Sequence, residues 1–175
     1  MRPAPGPIPD RMPAIDDAVR NIVQLIDMPR NQLQGYSLSQ LVNEYSDGSA
    51  KWLTGSTVWL PAVFGEVDKS TDFDLVFQNK DGWQRFCEGV EASLSNVTRH
   101  NMGNGVRYSL PDGDHIIDAW YLIDDETIGE LLLTFPYAYQ RCAYYLTWSG
   151  ASPAYLTRII KVRTRFERRE GGYGR

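Results

Sequence analysis

Apolar side chains recur at helical spacing in three stretches of the chain. We predict helices over residues 14–27, from Ser37 onward and over residues 81–94, because each stretch repeats apolar residues every three or four positions. The apolar face of the first helix consists of Ile15, Val19, Ile22 and Ile26. Pro29 ends this helix, and Ser37 and Gln40 have the spacing of a capping box at the start of the second.

Shorter apolar runs, each bounded by glycine or polar turn residues, predict strands. These predicted strands cover residues 51–56, 73–77, 105–110 and 115–122. The sequence PDGD at residues 111–114 is a strong turn signal. We therefore expect the last two strands to form a hairpin.

Two further segments contain a proline within a helical pattern. Residues 58–64 are predicted to be helical, and Pro61 makes this helix short or late in starting, because proline removes a backbone hydrogen bond. Residues 125–148 carry an apolar stripe at helical spacing that includes Cys142. Pro136 is expected to split or kink this last helix.

The predicted order of elements is helix, helix, strand, helix, strand, helix, strand, strand and helix. This order indicates an α/β or α+β domain, with a small mixed β-sheet flanked by helices. We expect the domain to cover residues 14–157, after a proline-rich arm at residues 1–13 and before a basic tail at residues 158–175.

Composition narrows the class of protein. The chain has 175 residues, of which 42% are hydrophobic, and this is enough for one domain with its own core. No run approaches the roughly 18 uncharged apolar residues of a membrane-spanning helix, so we expect no membrane partner. The cysteines, Cys87 and Cys142, indicate buried free thiols and favour the cytoplasm, with one disulfide as the alternative.

Charge is distributed unevenly along the chain. The formal net charge is −4, yet residues 158–175 carry seven basic side chains against two acidic ones. A basic tail on an acidic body favours a polyanionic partner such as RNA. The alternative interpretation is the solvated end of a frayed helix.

Two aspartates lie in and directly before the apolar run at residues 73–77. Asp72 and Asp74 are two positions apart, so on a strand they point to the same face, about 6.6 Å apart at standard rise. Phe73 and Leu75 then point into the core. Aspartate is depleted in strands, and neighbouring carboxylates repel each other unless a cation lies between them. The pair predicts a site for Mg²⁺ or Mn²⁺, and the alternative is a solvated sheet face.

Two other features bear on this site. Gly55 and Ser56 close the strand before the aspartates, and a glycine followed by the start of a helix offers close approach and free N–H groups to a phosphate. The alternative for these two residues is a tight turn with a hydroxyl cap. Asp118 is an acidic residue inside an apolar strand, where a lone carboxylate is costly unless it is paired or bound to metal.

Together, over residues 51–122, these motifs resemble the DNA polymerase beta-type nucleotidyltransferase superfamily. The resemblance implies a nucleotidyltransferase-like fold. It also implies that Gly55 and Ser56 bind the phosphates of a nucleoside triphosphate such as ATP. By the same resemblance, Asp72 and Asp74 bind metal, and Asp118 binds metal and helps to activate the attacking hydroxyl.

The function that follows is a magnesium- or manganese-dependent transferase. It would move a nucleoside monophosphate from a nucleoside triphosphate to a hydroxyl of an RNA or protein acceptor, with a partner subunit as a further expectation. Arg107 is a candidate ligand of the triphosphate, or else a solvated strand cation. The alternative functions are a non-catalytic nucleotide- or partner-binding regulatory module of the same fold, and a structural interaction protein whose carboxylates are solvated.

Overall fold

The structure is a computed structural model that describes residues 6–146 and 156–158. Its helices are α1 (Ile15–Asp27), α2 (Leu38–Glu44), α3 (Ser56–Trp59), α4 (Lys80–Ser93) and α5 (Ile128–Thr134). Its strands are β1 (Lys51–Thr54), β2 (Phe73–Phe77), β3 (Thr98–Asn101), β4 (Gly105–Ser109), β5 (His115–Tyr121), β6 (Cys142–Tyr145) and β7 (Leu156–Arg158). A π-helical turn at Leu60–Phe64 and 3-10 turns at Asn31–Leu33 and Ala138–Gln140 complete the set.

The strands form one mixed sheet in the order β3-β4-β5-β2-β1-β6-β7. β2 and β5 pair in parallel, while the other neighbours described pair antiparallel. The predicted fold class, a mixed β-sheet flanked by helices, is confirmed. The predicted hairpin is also present, as β4 and β5.

Helix starts follow the local chemistry that the sequence indicated. The Ser37 hydroxyl accepts a hydrogen bond from the backbone N–H of Gln40, and the Gln40 side chain accepts one from the backbone N–H of Ser37. This reciprocal pair satisfies two N–H groups that have no partner within the helix. The same arrangement joins Thr127 and Glu130 at the start of α5.

The core lies on one face of the sheet. Phe73, Leu75 and Phe77 alternate along β2 and are almost fully buried there, as the two-residue period of a strand predicts. Helix α4 packs against β2 and β5, and α2 contacts both α4 and α1. Because the intervening residues of β2 point to the opposite face, Asp74 faces away from these helices.

The segment at residues 125–148 differs from its prediction. Helix α5 ends at Thr134, and the chain then continues through a 3-10 turn into β6. Pro136 is the cause, since the residue before a proline avoids helical geometry, and Phe135 is extended, with φ −67° and ψ 136°. The expected split at Pro136 is present, but the helix predicted beyond it is wrong, and Cys142 lies in a strand.

The segment after Gly55 is helical, with α3 starting at Ser56 and continuing into the π-helical turn that contains Pro61. Besides β6, two strands were not predicted. β3 is exposed along its whole length and has no apolar face, and β7 comprises three residues. Both lie at edges of the sheet.

The chain termini are described only in part. Arg158 lies in β7, where its guanidinium donates hydrogen bonds to the backbone oxygens of Pro13 and Ala62. Residues 1–5 of the proline-rich arm and residues 159–175 of the basic tail lie outside the described residues, so the arm and the tail stay predictions. Cys87 and Cys142 are both buried and unbridged, as expected. In the described part of the chain, no helix has the length and apolar character to cross a membrane.

Candidate functional site

A cleft of about 650 Å³ opens on the face of the sheet opposite the core. Its floor comes from β1, β2, β4 and β5, and one wall comes from α5 and the residues that follow it. The floor carries Gly55, Asp74, Arg107, Asp118 and Trp120, among others. The cleft therefore contains every residue that the sequence singled out for metal or nucleotide binding.

Sheet register brings the three aspartates together. Asp74 of β2 is directly opposite Asp118 of β5, and Asp72 immediately precedes β2. One carboxylate oxygen from each of the three residues lies within 4.8 Å of the others. The Asp118 strand thus lies beside the strand that contains Asp74, a pairing that the sequence alone did not establish.

Gly55 is required by the approach of Asp74. Its backbone has φ 79° and ψ −167°, a region that is essentially restricted to glycine. A Cβ atom at this position would lie 2.1 Å from Oδ2 of Asp74. The close approach that this glycine permits is thus made by a carboxylate of the chain itself. Ser56 is the first residue of α3 and also lines the cleft.

The crowding of carboxylates changes the acidity of Asp74. Burial is the largest cause and raises its pKa well above the usual value, and the negative charges of Asp72 and Asp118 raise it further. Arg107 opposes this effect only in part. A cation bound between the carboxylates would remove the cost of ionising Asp74, because it favours the charged form.

Arg107 makes a two-pronged ion pair with Asp118. Its Nε donates to Oδ1 and its terminal nitrogen donates to Oδ2, each at 2.9 Å. The Asp118 side chain is 7% exposed and that of Arg107 is 35% exposed. The hydrogen bond from Arg107 to this carboxylate raises the pKa of the guanidinium. From the sequence, Arg107 was a candidate triphosphate ligand or a solvated cation. Its ion pair with Asp118 was not predicted.

The donor set fits a hard divalent cation. All three candidate ligands are carboxylates, and Mg²⁺ and Mn²⁺ prefer oxygen. Their oxygens already lie close together, and burial together with the two neighbouring carboxylates raises the pKa of Asp74. Asp72, Asp74 and Asp118 are therefore the residues that would hold Mg²⁺ or Mn²⁺.

Sequence reasoning missed part of the cleft. Trp120 lies on the same face of β5 as Asp118, two residues away, and this spacing was the available signal. Phe135 and Gln140 also line the cleft, and they could not be placed while residues 125–148 were predicted as helix.

No family model matches the chain, and no curated protein matches it either. Solved structures do. The chain resembles a CCA-adding enzyme in its apo form I, with a TM-score of 0.56 and 15% identity, over 82% of this chain and 32% of that one. It also resembles a complex of CCA-adding enzyme with CTP, with a TM-score of 0.53 and 17% identity, over 82% and 33%.

A third solved structure is the Thermotoga maritima CCA-adding enzyme complexed with tRNA, with a TM-score of 0.51 and 17% identity, over 75% of this chain and 30% of that one. The chain spans about a third of the length of these structures. At such identities the likeness shows the fold, and the fold is nucleotidyltransferase-like. The resemblance noted from the sequence is confirmed at that level.

Proposed function

We propose that the protein is a metal-dependent nucleotidyltransferase, which moves a nucleoside monophosphate from a nucleoside triphosphate to a hydroxyl of an RNA or protein acceptor. The observation that carries this proposal is the convergence of three carboxylates within 4.8 Å on a nucleotidyltransferase-like sheet. Gly55, against which Asp74 packs, also supports the proposal, because its close contact places one of these carboxylates beside the end of β1.

Each residue has a role in the proposed reaction. Asp72, Asp74 and Asp118 would hold Mg²⁺ or Mn²⁺, which would neutralise negative charge on the attacking and leaving oxygens. Gly55 and Ser56 bind the triphosphate at the start of α3. The acceptor oxygen forms a bond to the α-phosphorus, the bond from that phosphorus to the bridging oxygen breaks, and pyrophosphate leaves. A carboxylate oxygen of Asp118 accepts the proton of the acceptor hydroxyl.

The neighbours bear on the substrates. CCA-adding enzyme has been solved in complex with CTP and in complex with tRNA, and these two ligands support a nucleotide and an RNA as substrates of this chain. The proposal also includes a partner subunit that helps to hold the acceptor. The reducing cytoplasm, inferred from the buried thiols, is likewise a proposal.

One observation favours a second candidate, a non-catalytic nucleotide- or partner-binding module of the same fold. The Arg107 guanidinium already satisfies both oxygens of Asp118. A carboxylate paired in this way is stable without metal, so the cluster would persist in a protein that binds nucleotide and turns nothing over.

Calorimetric titration tests the proposal. Each of the four ribonucleoside triphosphates is titrated with Mg²⁺ and again with a chelator, into the wild type and the Asp72→Asn variant. We expect Mg²⁺-dependent binding that Asp72→Asn abolishes and that Asp16→Asn, an exposed acid at the start of α1, retains. Mg²⁺-independent binding that Asp72→Asn leaves intact would contradict the assignment of the metal site.

Transfer assays separate the two candidates. In the enzyme, Asp74→Asn should abolish Mg²⁺-dependent transfer while the protein stays folded, as judged by circular dichroism. A protein that binds the Mg²⁺–triphosphate pair but transfers nothing to any RNA or protein acceptor, with or without partner, would favour the regulatory module. Transfer that survives Asp72→Asn and Asp74→Asn together would refute the site.

A further inference from the structure

The cleft has a second, apolar half beside the carboxylates. Trp120, Leu122, Leu131, Phe135 and Pro136 line it, and none of them takes part in the function proposed above. Trp120 is half-buried on the active face of β5. In the described residues no other aromatic ring stacks on it.

The neighbouring strand holds the Trp120 ring flat. Gly105 of β4 is the residue directly opposite Trp120 in the β4–β5 pair. A Cβ at Gly105 would lie 2.4, 2.6 and 3.0 Å from Cε3, Cδ2 and Cζ3 of the indole, three atoms of its six-membered ring. The ring therefore lies on the backbone of a glycine, as strand glycines permit. Gly105 covers one side of the indole, and the half-buried Trp120 lines the cleft.

Sheet register fixes where this ring lies relative to the phosphate end of the cleft. Asp74 is opposite Thr54 of β1 and opposite Asp118 of β5, and Gly55 continues β1 beyond Thr54. Trp120 lies on β5, about 6.6 Å from Asp118 in the direction away from Gly55. β2 separates this strand from β1. Asp74 and Asp118 are thus between the Gly55 end and Trp120.

The chemistry of transfer assigns the two ends. In an in-line displacement at phosphorus, the attacking and leaving oxygens are on opposite sides of the reacting atom. If pyrophosphate leaves towards Gly55 and Ser56, the attacking hydroxyl approaches from the side of Trp120. Arg107, on β4 two residues from Gly105, also lines the cleft, where it pairs with Asp118. Proteins that bind single-stranded nucleic acid stack the bases on aromatic side chains.

We propose that Trp120 is a stacking platform for the terminal nucleobase of a nucleic-acid acceptor. This inference rests on the proposed function, because that function places the reacting phosphate at the carboxylates. It selects an RNA end over a protein hydroxyl as the acceptor, since an amino-acid side chain would leave the aromatic face and the apolar wall of the cleft uncovered.

The test compares a short single-stranded RNA with the same RNA whose 3′-terminal residue is abasic. Binding to the full chain is measured by fluorescence anisotropy with Mg²⁺ and without triphosphate, so that no transfer takes place. We expect the wild type to bind the abasic RNA roughly 5- to 150-fold more weakly, the range that follows from stacking of one base on an aromatic side chain. Equal affinity for the two RNAs, or no binding of either, would overturn the proposal.

Variants locate the effect. Trp120→Ala should bind both RNAs with the same, lower affinity, and Gly105→Ala should do likewise, because its Cβ would displace the ring. Trp52→Ala is the matched control, since Trp52 is also half-buried in the sheet and does not line the cleft. It should keep the wild-type discrimination. Discrimination that persists in Trp120→Ala would overturn the proposal.

Calorimetry with triphosphate distinguishes this inference from the proposed function. If Trp120→Ala weakens binding of the Mg²⁺–triphosphate pair as much as binding of RNA, the ring stacks on the incoming nucleotide, and the acceptor assignment is wrong. If triphosphate fails to bind the wild type while the terminal base of RNA is still recognised, the proposed function fails and the platform stands.

Discussion

Replacement of Gly55 by alanine tests the link between the loop after β1 and the metal site. The new Cβ would begin 2.1 Å from Oδ2 of Asp74, and real Cβ atoms essentially never come within 3.0 Å of another heavy atom. Either the Asp74 carboxylate or the loop must therefore move by about 1 Å. The backbone of Asp74 is fixed by strand pairing on both sides of β2, so the side chain is the part that can move.

Two magnitudes follow for Gly55→Ala. A non-glycine residue in this backbone region costs roughly 1–3 kcal/mol of folding free energy. Displacing a positioned group by about 1 Å costs on the order of 100-fold in function. We therefore expect a modest loss of stability, weaker affinity for the Mg²⁺–triphosphate pair and roughly 100-fold slower transfer.

Gly48→Ala separates strain from collision. Gly48 has a similar φ of 83°, and nothing lies within 4 Å of a Cβ there. Chemical denaturation should show a loss of stability in both variants, while calorimetry should show weakened Mg²⁺–triphosphate binding only in Gly55→Ala. Wild-type affinity in a folded Gly55→Ala protein would refute the reasoning, because it would mean that the position of Asp74 does not matter to the metal.

Three further predictions concern charge. Burial and neighbouring carboxylates raise the pKa of Asp74, so its ionised form destabilises the metal-free fold. As pH falls through that pKa, thermal unfolding should show increasing stability and calorimetry should show decreasing affinity for Mg²⁺. Asp74→Asn should remove this contribution to the pH dependence. Arg107→Ala removes two charged hydrogen bonds and should lower the free energy of unfolding by about 1.5–3 kcal/mol. Mg²⁺ should stabilise this variant more than the wild type, because it replaces the lost cation beside Asp118. An equal effect of Mg²⁺ on both proteins would contradict this prediction. Deleting residues 159–175 should flatten the salt dependence of RNA binding, and an unchanged slope would exclude a role for the tail.

Local signals predicted much of the fold because they act over a few residues. The capping box at Ser37, the apolar alternation around Asp74 and the turn at residues 111–114 each specify structure without reference to distant parts of the chain. Segments that depend on distant partners were missed. β3 has no buried face, so its residues carry no periodic signal, and β6 becomes a strand by pairing with β1.

The candidate site was predictable in part for a similar reason. Two-residue spacing puts Asp72 and Asp74 on one face, and an acidic residue in an apolar strand singles out Asp118. The sequence does not say which residue is opposite another across a sheet. The pairing of Arg107 with Asp118 and the seat of Trp120 on Gly105 both depend on the β4–β5 register, and that register is set by tertiary structure.

Register also joins the stability of the sheet to the integrity of the site. A slip of β5 by one residue against β2 would turn every side chain of β5 to the other face. Asp118 would then enter the core, where an unpaired carboxylate costs several kcal/mol, and Ile117 would leave it. The apolar residues that flank Asp118 therefore contribute to the core and also keep Asp118 in the cleft. For this reason a core substitution in β5 that loosens register, such as Ile117→Ala, should weaken metal binding as well as stability.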